Sequence, residues 1–194
     1  MGTFQSGLLR NKKFSHTSTC CSSYLTPKRI TAIYGGEVKR CPRCARADAN
    51  FVHMVWSCPF AQGYWNAVLD KIKSTLERDL PCTMRVCILG IFKRSKKHKV
   101  RNKFVDLALA LAKRRLSIAW KSPTGPEIAK WETDVKCWAG AEEQALRREE
   151  ARGLRRKPIA TDWAAVFSEF SQMVEDSDMD METGDSPMRN VVIR

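Results

Sequence analysis

Residues 40–59 read RCPRCARADANFVHMVWSCP, and four of them decide the fold: Cys41, Cys44, His53 and Cys58, spaced Cys-x2-Cys-x8-His-x4-Cys. Two thiolates two residues apart can grip one metal ion from a tight turn. A histidine and a third cysteine, with four residues between them, can close the tetrahedron from the next segment. Three sulfurs and one imidazole form a closed structural zinc site, without the open position that metal catalysis needs. Arg40, Arg43 and Arg46 stand among the ligands, with Phe51 and Trp56 close by. The expected metal-folded knuckle therefore carries cations and flat rings, the equipment for gripping a polyanion. Phe51 and Trp56 are assigned first to the mini-core around the metal, because so short a module has little else to bury.

The chain around this knuckle is basic but unevenly so. Its 194 residues carry a net charge of +13; residues 1–160 hold 32 Lys and Arg against 13 Asp and Glu, and residues 161–194 hold 2 against 8. A body of that sign attracts phosphate backbones through counterion release. Seven cations crowd into 93–103: Lys93, Arg94, Lys96, Lys97, Lys99, Arg101 and Lys103. With nothing acidic close in sequence, the run reads as a phosphate contact, a nuclear-import address or a solvated charge block. Of these, phosphate contact is favoured. Arg147, Arg148, Arg152, Arg155, Arg156 and Lys157 form a weaker second cluster, partly offset by Glu149 and Glu150.

The start, MGTFQSGLLRNKKF, has no apolar signal region, and no apolar run approaches the ~20 residues of a membrane helix. The eight cysteines are therefore expected to stay reduced in a protein that is not secreted, where a Cys-x2-Cys pair favours metal over disulfide. Cys20, Cys21, Cys82, Cys87 and Cys137 lack ligand spacing and read as core or incidental thiols. Met1 to Ser6 fits the N-myristoylation pattern, but the pattern is short. Residues 1–23 are read as a weakly ordered leader and no membrane partner is expected.

Hydrophobic periodicity predicts a mainly α protein: a small CCHC knuckle, a bundle of about four amphipathic helices, and a disordered acidic tail over 175–194. The first division is 24–80, the knuckle with its following helix; the second is the basic helical region 81–174. Residues 24–36 read as extended or short helical, ending at Gly35-Gly36, and 51–56 as a short helix or strand beside the metal. Helix 59–79 starts on Pro59, carries Trp65, Val68, Leu69, Ile72 and Leu76, and is stopped by Pro81. Residues 82–92 are either strand or buried turn. A second helix, 98–120, buries Phe104, Leu107, Ala108, Leu111 and Ile118. A third, from Pro126 to about 150, buries Ile128, Trp131, Val135 and Trp138. A fourth, capped by Thr161, buries Trp163, Val166, Phe167, Phe170 and Val174.

The order Tyr24-Leu25-Thr26-Pro27, Cys41-x2-Cys44, Phe51-Val52-His53-Met54-x-Trp56-x-Cys58-Pro59 and Trp65 resembles the zinc-binding C-terminal region of LINE-type (non-LTR) retrotransposon reverse transcriptases. Leu89-Gly90, Ala119-Trp120-Lys121, and Pro126 with Trp131 follow in the order of those tails, so the likeness covers roughly 24–170. The resemblance implies zinc at Cys41, Cys44, His53 and Cys58, and a module that holds template RNA or target DNA with little sequence preference. It implies a place in nucleus and cytoplasm among ribonucleoproteins, and no small-molecule substrate. The polymerase and endonuclease of that family lie upstream, and no Tyr/Phe-x-Asp-Asp motif is present here, so a non-catalytic fragment is expected. The competing expectation is a zinc-folded protein-interaction module, with Trp131 and Trp163 receiving a partner.

Overall fold

The structure is a computed structural model that describes residues 24–47, 49–153 and 160–182, with side chains of the last segment over 161–174. The leader and its lipidation pattern, Cys20 and Cys21, Arg155, Arg156 and Lys157 of the second basic cluster, and the tail over 183–194 lie outside the described residues. Helices supply the architecture: α1 (Pro27–Tyr34), α2 (Pro59–Leu76), α3 (Met84–Cys87), α4 (Lys99–Ile118), α5 (Ile128–Ala151) and α6 (Ala160–Glu182). A π-helical turn, His53–Ser57, precedes α2. Among the described residues there is no strand, only an isolated bridge between Arg40 and Ala47.

Local chemistry sets most boundaries. Thr26 caps α1, its hydroxyl accepting from the Arg29 amide at 3.2 Å, and Pro27 follows in the first turn, where its missing amide proton costs nothing. Gly35, at φ 65°, ends that helix. Pro59 opens α2 as expected, but α2 stops at Leu76 because Glu77 turns left-handed at φ 48°. The break thus precedes Pro81. Residues 82–92 are neither a strand nor plain turn; Thr83 caps the single helical turn of α3. Pro126 lies one residue before Glu127, the N-cap of α5, and not in its first turn. Thr161 sits inside α6 rather than at its cap, and α6 continues to Glu182, eight residues into the expected tail.

Around the core, α2 packs on α4, α4 on α5, α5 on α6, and α6 back on α2. The four long helices close a ring in chain order, so α2 belongs to the bundle as well as to the knuckle. Trp65, Ile72, Phe104, Trp131, Trp163 and Phe170 are fully buried there. One device recurs. The Trp131 indole donates to the Ala108 carbonyl of α4 at 3.0 Å, and the Trp163 indole to the Ala139 carbonyl of α5 at 2.9 Å. Each tryptophan thereby fills the interface with the preceding helix and satisfies its one polar atom. Burial removes Trp131 and Trp163 from any partner-receiving role. Two predicted core positions face outward instead: Ile118 at 60 % and Trp138 at 45 % exposure. The α5 stripe runs through Trp131, Val135 and Ala139 in four-residue steps, which leaves Trp138 at its edge, and Ile118 is the last residue of α4.

Candidate metal centre

The knuckle is a tight turn clamped at both ends. The Cys41 amide donates to the Arg46 carbonyl and the Ala45 amide to the Cys41 carbonyl, each at 2.9 Å, and Ala45 takes a left-handed φ of 57°. That geometry turns Cys41 and Cys44 to the same side. The other pair is set by the π-turn. Residues five apart on an α-helix diverge by about 140°. Here the Cys58 amide donates to the His53 carbonyl at 2.9 Å, an i→i+5 bond whose wider turn brings His53 and Cys58 towards one face. The Asn50 side chain accepts from the His53 amide at 2.9 Å and starts that turn.

All four predicted ligands converge: one donor atom from each of Cys41, Cys44, His53 and Cys58 lies within 4.8 Å of the others. Metal–sulfur bonds of about 2.3 Å would space tetrahedral sulfurs about 3.8 Å apart, so closure on an ion needs shifts of about 1 Å or less. Cys44 Sγ is already 3.2 Å from His53 Nε2. Cys41, His53 and Cys58 are buried, and His53 Nδ1 has no hydrogen-bond partner. This Cys3His cluster could hold a metal ion. Burial, then the charges of Arg46 and Arg43, lowers the His53 pKa and favours the neutral ring that ligation requires. Burial pushes the Cys41 thiol up, but the amides of Cys44 and Arg43 outweigh it and the net shift is downward. For Cys58 burial prevails over the Phe60 and Ala61 amides, and its pKa is raised.

Arg43 is not on the surface. It is 6 % exposed, donating to the Met54 carbonyl at 2.8 Å and the Ala119 carbonyl at 2.9 Å. Its charge sits beside the three thiols and at the C-terminal end of α4, where a cation is favoured. It is therefore a strut between knuckle, π-turn and bundle, and leaves the expected phosphate-facing set. Arg40 and Arg46 remain exposed. Phe51 packs with Tyr24 and Trp120, at centroid distances of 5.7 and 5.9 Å, and Trp56 is partly buried against the core. Both rings are packing elements, as the mini-core assignment expected.

No family model, curated protein or solved structure matches this chain. What it does must be read from its own residues.

The basic run divides in two. Arg94 forms paired bonds of 2.7 and 2.8 Å to Asp106, Arg101 faces Glu169 at 3.6 Å, and Lys103 pairs with Glu142. The acids that relieve these three arrive from α4, α5 and α6, so the run is not without acidic neighbours. Lys93, Lys96, Lys97 and Lys99 are exposed and make no ion pair among the described residues. Of the remaining predicted thiols, Cys87 is buried while Cys82 and Cys137 are exposed. Sequence reasoning missed Asn50 and Met54, whose sulfur lies 3.7 Å from Cys41 Sγ. Asn50 carries no pattern signal beyond proximity to the cluster, whereas Met54 lies in the apolar 51–56 stretch expected beside the metal. Among the described residues no helix is long and apolar enough to cross a membrane.

Proposed function

We propose that the protein is a non-catalytic, zinc-folded nucleic-acid-binding module that grips RNA or single-stranded DNA with little sequence preference, in the manner of the retrotransposon tails its sequence resembles. The supporting observation is the convergence of Cys41, Cys44, His53 and Cys58 beside a segment whose charged side chains are nearly all cationic. Residues 24–47 carry Lys28, Arg29, Lys39, Arg40, Arg43 and Arg46 against Glu37, and all but Arg43 lie at or near the surface. Three thiolates and a neutral imidazole suit zinc better than a hard cation. Bound there, zinc supplies a structural cross-link and no open coordination position.

Native mass spectrometry is expected to find one zinc per chain, lost with chelator and absent from Cys44→Ser. Binding of a labelled single strand across a salt series then tests the function; a log–log slope indistinguishable from zero removes it. A protein-interaction module is the second reading, favoured by Ile33, Tyr34 and Val38, exposed at 53 %, 72 % and 49 % on α1 and the following turn. Tyr34→Ser would abolish that partner's binding, whereas charge reversal at Lys96 and Lys97 would not.

A further inference from the structure

A cavity of about 940 Å³ opens between the end of α2, the α3 turn and the start of α4. Its volume is that of a small-molecule site, and the metal ligands take no part in it. Leu80, Val86 and Phe92 give it an apolar lining, and its other walls are strongly cationic. Arg78 is the fixed point. It donates to Asn102 Oδ1 at 2.6 Å and to the Lys93 carbonyl, and its guanidinium lies 5.1 Å from the Phe92 ring centre. These acceptors are neutral, so they orient the guanidinium without neutralising it.

The surrounding charges divide clearly. Arg94 is held by Asp106, Arg101 by Glu169, and Asp79 by Lys73 at 3.3 Å. Arg78, Arg85 and Lys93 are left without an acidic partner among the described residues, against Glu77, and His98 adds an imidazole. The surplus is close to two positive charges. A phosphate monoester carries about −1.5 to −2 at neutral pH, whereas a backbone diester carries about −1 and runs along grooves rather than ending in a cavity. We propose that this cavity binds the terminal phosphate monoester of a nucleotide, with Arg78 as the pre-set donor, Arg85 and Lys93 closing on the phosphoryl oxygens, and the apolar lining receiving the nucleoside. The proposal goes beyond the knuckle's grip on strands and does not require it.

Calorimetry on the zinc-loaded full chain should compare a nucleoside monophosphate with its parent nucleoside, and a short single strand bearing a 5′-phosphate with the same strand bearing a 5′-hydroxyl. The monophosphate is expected to bind at least ~10-fold more tightly than the nucleoside, the increment of one charge-assisted hydrogen bond. An equal gain for the phosphorylated strand would make a strand end the source; a gain for the mononucleotide alone would make it a free nucleotide. Arg85→Gln with Lys93→Gln, both surface positions, should erase the discrimination while circular dichroism is unchanged; Arg78→Gln should do the same. Equal binding of phosphorylated and unphosphorylated forms, or discrimination that survives the double substitution, overturns the proposal. Strand binding indifferent to the end group, with no nucleotide binding, would sink it while leaving the knuckle reading intact. Phosphate-dependent nucleotide binding without strand binding would do the reverse.

Discussion

Arg43 lies between Cys41 and Cys44, and its environment is unlike that of the arginines on either side. Its guanidinium bonds carbonyls 11 and 76 residues away, and those contacts tie the Cys3His segment to the end of α4. Hydrogen bonds from a charged donor are worth about 1.5–3 kcal/mol each, and truncation leaves the carbonyls of Met54 and Ala119 without that donor. Arg43→Met is therefore expected to lower stability by roughly 2–4 kcal/mol in urea unfolding, while leaving the salt dependence of strand binding unchanged. The Cys3His cluster was legible because thiol and imidazole spacing encodes a local geometry. The role of Arg43 was not, because charge density along a chain says nothing about which way a side chain points. A thiol offers a second case. Cys87 is fully buried, and burial pushes its pKa up to about 12, whereas Cys137 is exposed. At pH 8 Cys87 therefore stays a thiol, so brief alkylation with peptide mapping should label Cys137 and leave Cys87 unmodified.

At the scale of the element, the sequence pattern located the helices well and their limits less well. Apolar recurrence every three or four residues marks a buried stripe, and it placed α2, α4, α5 and α6. The left-handed residue that ends α2 is Glu77, a side chain with no marked preference for that conformation, so the obvious breaker at Pro81 attracted the boundary. The π-turn was equally hidden, because an i→i+5 bond has no sequence pattern of its own, although the four-residue gap between His53 and Cys58 needs a wider turn. Within α5, Trp131 and Trp138 are one heptad apart and look equivalent. They are not: Trp131 is fully buried with its indole bonded to Ala108, and Trp138 is 45 % exposed. Trp131→Ala is expected to cost about 3–5 kcal/mol, enough to unfold a marginal domain. Trp138→Ala should stay within about 0.5 kcal/mol. Thermal unfolding of the two variants side by side checks the assignment of the α5 face.

The whole molecule combines a helical ring closed by α2, α4, α5 and α6 with the Cys3His segment, fastened to it by Arg43, Trp120 and the Phe51 ring. The indole of Trp120 reaches the Leu25 carbonyl at 3.2 Å, and the Trp65 indole reaches the Val55 carbonyl at 2.9 Å, so knuckle and bundle share one hydrophobic core. Net charge was legible from composition, but the availability of that charge was not, because pairing across helices depends on packing that a linear run does not reveal. Of the seven cations in 93–103, three are matched to Asp106, Glu169 and Glu142, and Lys93, Lys96, Lys97 and Lys99 remain. Each phosphate neutralised on a single strand contributes about −0.7 to the slope of log affinity against log salt. A strand held by these four lysines therefore contributes about −2.8 from this region, where seven free cations would give about −4.9. Replacing the four by Gln should flatten the measured slope by about 3, with no change in melting temperature since none is ion-paired among the described residues. The same treatment of Arg94, Arg101 and Lys103 should instead lower the melting temperature, by exposing Asp106, Glu142 and Glu169 unpartnered, and should scarcely move the slope. An equal flattening from both sets would mean that the helix-to-helix pairs open to admit the strand.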